Sequence, residues 1–386
     1  QLEISFLPYG LTRKSAQSGN LKSATRLVPS MRSLSLVLAT LLLVGCAESS
    51  EPQMVPEEVD VQLQPSPDQN VEEMEAPEQI ADQPLPIQDS KAEEELDQPG
   101  TNPMEGTEVP RGLIDVSFAF GGETRESLLY VPDSYNPTEG APLMLSFHGF
   151  GLDSQIQLEQ ADMRSLADRD GILLAYPQGT PLGISRFPHW NALPNSPENK
   201  TAVDDLGFVR ELISQIESDY PINRGRVYAS GFSNGGMMAF ALACYEKDLV
   251  AAVAVVSGQL LDNGETCSPE SPIGVITLHG TDDRVIPYEG AVGQLSAQEA
   301  VDFWVEHNET NTSPQIDTFN DGDMTIERHV YDQGNNGVAV HHYKYLEGQH
   351  VWFNQRVEGA NASELIWNFV SDYSVSGIIL DPVLRD

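Results

Sequence analysis

Gly231-Phe232-Ser233-Asn234-Gly235 sets one hydroxyl between two glycines. The preceding run, Arg226-Val227-Tyr228-Ala229-Ser230, reads as a short buried strand, and Gly236-Met237-Met238-Ala239-Phe240-Ala241-Leu242-Ala243 reads as a helix. A serine on the sharp turn between such elements is lifted out of the fold, above a helix N-terminus that offers free N–H groups and a partial positive charge. The glycines are expected there for two reasons: the turn needs unusual backbone angles, and a side chain at either position would collide with the neighbouring strand or helix. A serine hydroxyl is a poor nucleophile at neutral pH, so an adjacent base is required, itself oriented by a third group.

This strand–serine–helix motif resembles the nucleophile elbow of the α/β-hydrolases, in which the chain order is serine, acid, histidine. That order restricts the base to His307, His329, His341, His342 or His350. His307 ends a helical run beside polar neighbours, and His329, His341 and His342 lie in strand-like runs as packing residues. His350 follows Leu346-Glu347-Gly348-Gln349, a loop after the last strand and before the final helix, and is the expected base. The acid is expected in His279-Gly280-Thr281-Asp282-Asp283, where spacing alone leaves both carboxylates open. An acyl-transfer oxyanion needs N–H donors. These are expected from the amides of Asn234, directly after the serine, and of Phe150 in His148-Gly149-Phe150-Gly151. His148 itself reads as a structural residue of that turn.

The elements that must position these groups alternate. Asp115–Phe120 and Arg125–Val131 read as an antiparallel pair. Short apolar runs at 143–147, 172–176, 227–230, 250–256 and 275–278 read as parallel strands buried on both faces. Helical spacing covers 158–169, 203–218, 237–245, 297–306 and 362–373. The predicted class is therefore α/β, with a mostly parallel, doubly wound sheet and functional loops at the strands' carboxyl ends.

The set Tyr130-Val131-Pro132, His148 to Gly151, Tyr176-Pro177-Gln178-Gly179, Val203 to Val209, Gly231 to Gly236 and His279 to Tyr288 resembles the polyhydroxybutyrate depolymerase and feruloyl esterase family of α/β-hydrolases. The resemblance runs from about Leu128 to about Trp352. It implies the α/β-hydrolase fold, selects Asp283 over Asp282, and makes Ser233, Asp283 and His350 a catalytic triad without a cofactor or metal. Members of that family often carry one cysteine after the elbow helix and another before the acid strand. Two departures bear on substrate: His350-Val351-Trp352-Phe353 lacks the family's Trp-Pro after the histidine, and Phe150 stands where some polymer-degrading members have cysteine.

The front of the chain is different material. Residues 1–30 read as an upstream extension, and residues 31–46 as a signal segment. Its apolar stretch, Leu34 to Val44, ends in Leu43-Val44-Gly45-Cys46, which resembles a bacterial lipobox with Cys46 as the lipid-bearing residue. An exported lipoprotein of the outer membrane or cell surface is the expectation, with membrane contact only through that lipid. Residues 47–110 hold eighteen acidic residues against one basic residue, Lys91, with ten prolines and no aromatic. Such a stretch cannot offset its ordering entropy and is expected to be a disordered tether, with a reach of about 45 Å or more. Residues 111–374 make the catalytic domain and 375–386 a tail. A formal net charge of −37 disfavours nucleic acid as a partner. With Cys46 assigned to lipid, Cys244 and Cys267 are an even remainder in an oxidising compartment, which suggests one disulfide rather than two free thiols.

Trp190, Trp352, Phe187 and Phe150 are expected to wall the substrate pocket and to stack on an aromatic acyl group. The expected substrate is a feruloyl or acetyl ester on polysaccharide, or a small soluble ester, handled by a monomer. Competing readings are a polyester depolymerase, a serine peptidase on the same fold, and a non-catalytic surface-binding module. Asp317 to Asp323 has carboxylate spacing for calcium, but Phe319 occupies a ligand position and Arg328 stands where a bidentate glutamate is needed, so no metal site is expected.

Overall fold

The computed structural model describes residues 109–380, apart from Asn195, Lys247 and residues 262–266. The upstream extension, the signal segment with Cys46 and residues 47–108 of the tether lie outside the described residues, as do residues 381–386.

A ten-stranded sheet organises the described residues, in the order β1-β2-β4-β3-β7-β8-β9-β12-β11-β10. Its strands are β1 Gly112–Phe120, β2 Glu123–Val131, β3 Ala141–Phe147, β4 Leu173–Pro177, β7 Ile222–Phe232, β8 Ala252–Val256, β9 Gly274–Gly280, β10 Gln315–Asp321, β11 Met324–Tyr331 and β12 Val340–Tyr345. A small hairpin, β5 Thr180–Leu182 with β6 Phe187–His189, rises from the loop after β4. The central pairs β4-β3, β3-β7, β7-β8, β8-β9 and β9-β12 are parallel, while β1-β2, β2-β4, β11-β12 and β10-β11 are antiparallel. This is the doubly wound, mostly parallel arrangement that the alternation predicts.

Strand periodicity divides the core between the two sheet faces. Leu143, Leu145, Val227, Ala229, Val253 and Val255 pack on one face under the helices α3 Asp205–Asp219, α4 Asn234–Tyr245 and α5 Ala297–His307. Met144, Leu174, Tyr228, Ala254 and Ile276 pack on the other under α1 Ser154–Gln160, α2 Arg164–Asp170 and α6 Ala362–Val370. Cys244 of α4 is bonded to Cys267, joining the elbow helix to the approach of β9.

Three boundaries differ from the sequence expectations. The single helix expected over 158–169 is two, because the Asp162 carboxylate accepts the Arg164 N–H at 3.0 Å and competes with helix continuation. The final helix stops at Val370, and Tyr373–Ser374 then pairs with Gly377–Ile378. Residues 375–380 are accordingly part of the folded body rather than of a tail: Ile379 is buried, and the Ile378 side chain lies against Gly337.

Candidate active site

Every candidate group lies beyond the carboxyl end of a central strand. β7 ends at Phe232, α4 begins at Asn234, and Ser233 between them has φ 55° and ψ −120°. A non-glycine residue with those angles carries strain of about 1–3 kcal/mol and persists only where its surroundings hold it. Here the Ser233 N–H donates to Val256 O at 2.9 Å and its carbonyl accepts from Met237 N at 3.1 Å. The glycines serve one of the two expected purposes. Neither Gly231 nor Gly235 has a positive φ. A Cβ on Gly231 would lie 2.1 Å from Gly235 O, and one on Gly235 would lie 2.2 Å from Phe147 O. The serine takes the unusual angles, and the glycines supply clearance.

Asp283 and His350 come together from the loops after β9 and β12. His350 Nδ1 lies 2.7 Å from Asp283 Oδ2. Because a carboxylate only accepts, Nδ1 carries the proton and Nε2 keeps its lone pair. Asp283 Oδ1 accepts the backbone N–H groups of Val285 and Ile286, both at 2.9 Å. Asp282 points elsewhere, into an exposed pair with Arg284. Burial pushes the Asp283 carboxyl upward, but hydrogen bonds from His279, His350 and the Ile286 N–H outweigh it and hold the group well below the ordinary carboxylate range. The His350 ring packs on Phe232, next to Ser233, with centroids 4.8 Å apart. The Ser233 hydroxyl makes no side-chain hydrogen bond among the described residues, a looseness common in unliganded hydrolases.

The acid and base loops are laced together. Thr281 N donates to Tyr345 O and Asp282 N to Gly348 O, each at 2.9 Å, while Glu347 N donates to Thr281 Oγ1 at 2.8 Å. A Cβ on Gly280 would lie 2.2 Å from Gly348 O, so only glycine permits this approach. Ser257, after β8, donates its hydroxyl to Val351 O at 3.3 Å and braces the base loop from the other side.

The candidate oxyanion donors flank the elbow. The Phe150 N–H has no acceptor among the described residues, and the Asn234 N–H belongs to the first turn of α4, where no intrahelical partner exists. His148 fixes the turn beneath Phe150: its Nδ1 donates to Gly149 O at 2.8 Å and its Nε2 accepts Gly179 N–H at 2.9 Å. Burial lowers the His148 imidazole to about 4, so it stays neutral and structural. The Asn234 side chain has a task that the sequence reading missed. Its Oδ1 accepts Trp190 N–H at 2.8 Å and its Nδ2 donates to Trp190 O at 3.0 Å, clamping the chain after β6 to the start of α4.

Two expected pocket residues are core residues instead. Trp190 is 2% exposed, packs between Phe147 and Phe208, and donates its indole N–H to His148 O at 3.0 Å. Trp352 is 6% exposed and donates to Ser363 Oγ at 3.3 Å. Burying a tryptophan is favourable once its N–H finds a partner, and both have found one inside the fold. Phe187 does lie at the surface, 43% exposed, edge-on to Phe150 with centroids 5.9 Å apart.

His279 is the second residue that the sequence reading passed over. Its Nε2 lies 2.9 Å from Ile286 O and 3.5 Å from Asp283 Oδ2, which places a buried N–H beside the acid. The available signal was a second His-Gly pair, His279-Gly280, repeating the pattern of His148-Gly149. Of the other histidines, His329 and His342 face each other across β11 and β12, and His307 Nε2 lies 3.0 Å from Ser271 O. Among the described residues no cluster of three metal-ligating side chains occurs. Asp317 is paired with Arg328, and Asp321 accepts the Arg356 N–H, within and beside the β10-β11 hairpin.

Comparison with known proteins finds similarity to esterases. Residues 141–322 match the family model described as Phospholipase/Carboxylesterase. The chain is 33% identical over 171 residues to a protein named as an esterase, NocK, of Nocardia uniformis subsp. tsuyamanensis, covering 44% of this chain and 48% of that one. It is 27% identical over 256 residues to the bifunctional acetylxylan esterase/xylanase XynS20E of Neocallimastix patriciarum, covering 66% and 34%. It is 27% identical over 268 residues to feruloyl esterase B of Piromyces equi, covering 65% and 46%. The chain thus spans less than half the length of each of these relatives. Residues 141–322, which carry the central strands and the elbow, are thus similar to the phospholipase/carboxylesterase family, and the mostly parallel ten-stranded sheet with its flanking helices is the α/β-hydrolase fold.

Proposed function

We propose that this chain is a serine carboxylic-ester hydrolase that works through an acyl-enzyme, with Ser233 as nucleophile, His350 as base and Asp283 as the orienting acid. The observation that carries the reading is the 2.7 Å contact between His350 Nδ1 and Asp283 Oδ2, which leaves Nε2 as the acceptor, on a ring packed against the residue before a strained serine. In the first half-reaction Ser233 Oγ bonds to the ester carbonyl carbon as Nε2 takes its proton. The carbonyl oxygen becomes an oxyanion received by the amides of Phe150 and Asn234. As the C–O bond to the alcohol breaks, Nε2 returns the proton to the leaving oxygen. Water repeats the sequence on the acyl-serine, releasing acid and free enzyme. Asp283 stays ionised throughout and stabilises the imidazolium.

A feruloyl or acetyl ester, attached to polysaccharide or small and soluble, is the substrate class that fits best. Its support is the naming of two relatives as acetylxylan and feruloyl esterases and the contact between half-buried Phe150 and exposed Phe187 beside the proposed oxyanion site. The placement we propose is export as a lipoprotein, lipidated at Cys46, with the acidic segment 47–110 as the tether; the support is the sequence of that segment. Among the described residues no helix is long and apolar enough to cross a membrane.

The test is hydrolysis of p-nitrophenyl acetate, p-nitrophenyl butyrate and methyl ferulate by the full chain and by Ser233→Ala. The expected result is turnover by the wild type and a loss of at least about 10⁴-fold in kcat in the variant. Equal rates in the two proteins would refute the assignment.

A further inference from the structure

The bank of the site formed by the Phe150 turn and the loop after β4 carries a feature that ester chemistry alone does not require. Gly151 N donates to Pro188 O at 2.8 Å, which ties the β5-β6 hairpin to the turn holding Phe150. Phe187 stands edge-on to Phe150, and Lys200 Nζ lies 5.7 Å from the centre of the Phe150 ring. The lysine is exposed, yet its backbone is held on both sides. Asn199 Nδ2 donates to Leu193 O at 2.6 Å, and Thr201 receives Asn191 Nδ2 at its carbonyl and hydroxyl, at 3.0 and 2.8 Å.

The chain is strongly acidic, and its arginines are largely consumed by carboxylates, as in Arg125–Asp205 and in Arg328 with Asp317 and Glu358. Lys200 has no carboxylate within 4.0 Å among the described residues, a property it shares with Arg186 of the β5-β6 hairpin, with Arg111 and with Lys344. The opposite bank, by contrast, presents Asp282 and Glu347 around the base loop. Asp282 is itself paired with Arg284, so the distinguishing feature of the Phe150 bank is an ammonium without a carboxylate partner beside two aromatic rings.

We propose that Phe150, Phe187 and Lys200 form a specificity ledge for esters that bear a carboxylate, with the apolar part of the substrate against the two rings and the carboxylate at Lys200 Nζ. The proposal rests on the esterase reading above and adds the charge class of the substrate. The shared chemistry has two sources: an aromatic acyl group carrying a second carboxylate, or a uronate on the alcohol side of a polysaccharide ester. Lys200 acts on binding of the non-reacting part and takes no part in bond making.

The experiment compares the full-length wild type with Lys200→Gln and Lys200→Glu on two matched pairs. Methyl cinnamate against methyl 4-carboxycinnamate tests the acyl side; acetylated xylo-oligosaccharide without and with a glucuronate branch tests the alcohol side. The readout is the ratio of kcat/KM for the charged member to that for the neutral member. In at least one pair this ratio is expected to fall about fivefold in Lys200→Gln, the size of one partly exposed ion pair, and further in Lys200→Glu. The fall should reside in KM and shrink in 1 M salt, where screening acts within about 3 Å. Ratios unchanged by both substitutions in both pairs would overturn the ledge while leaving the esterase reading intact. No turnover of any of the four esters, or of p-nitrophenyl acetate, would overturn both.

Discussion

At the scale of single residues, the division of labour around Asp283 explains why this carboxylate faces His350 and its neighbour does not. Asp283 is buried and receives two backbone N–H groups, His350 and the nearby His279 N–H, whereas Asp282 is turned to solvent and Arg284. Removing His279 leaves the carboxylate with one donor fewer and more dependent on the imidazolium. His279→Phe is expected to lower kcat about tenfold, the equivalent of about 1.4 kcal/mol, with KM little changed. His279→Gln, which keeps an N–H donor at this position, should recover most of kcat, a rescue that a purely structural role would not produce. Steady-state kinetics on p-nitrophenyl acetate would measure both effects. Motif and chain order pointed to Ser233 and His350, and the family resemblance to Asp283 over Asp282; the contact between His350 and Asp283 agrees with that choice of carboxylate. The fates of Trp190 and Trp352 were not legible in the sequence. Nearness to the site along the chain does not reveal which way an indole points, and here each N–H is satisfied inside the core.

At the scale of elements, the site is a product of close backbone approach. The elbow can form only because β7, α4 and the turn after β3 meet without side chains between them. Gly235→Ala would place a Cβ 2.2 Å from Phe147 O, a backbone atom that cannot rotate away. It is expected to cost about 3 kcal/mol, at the upper end of ordinary overpacking, because the turn carrying Phe150 must move with Phe147. A urea denaturation series should show the lowered midpoint, and activity should fall by more than stability alone explains. An unaltered midpoint would show that the strand can yield, contrary to this account. The alternation of strands and helices was legible from apolar runs, while the break at Asp162 and the early stop of the last helix were not. Both depend on local competition: a side-chain acceptor in one case and a β-pairing with residues 377–378 in the other.

At the scale of the whole molecule, three histidines set the acid side of stability. Burial lowers His148 to about 4 and His342 to about 3, against an ordinary value of 6.5, and a third histidine, His341 on β12, is likewise lowered to about 4 by burial. His342 is held neutral between Thr277 Oγ1 and Tyr288 Oη, each at 2.7 Å. Since the unfolded chain binds these three protons first, their effect is absent above pH 6.5 and destabilises the fold progressively as pH falls towards 4. The slope should approach about 1.4 kcal/mol per pH unit for each histidine. Thermal or urea unfolding between pH 7.5 and 4.5 would show this decline; a flat profile would mean that these side chains are hydrated in the fold. The acidic front segment was legible as a composition, and its chemistry bears on placement rather than on the site.

The central claim is that Ser233 is the nucleophile, and covalent labelling tests it most directly. The full chain would be treated with a fluorophosphonate, digested, and read by mass spectrometry. The account predicts one adduct on the peptide containing Ser233, absent in Ser233→Ala. An adduct on another serine, or none in a protein that still hydrolyses p-nitrophenyl acetate, would contradict it.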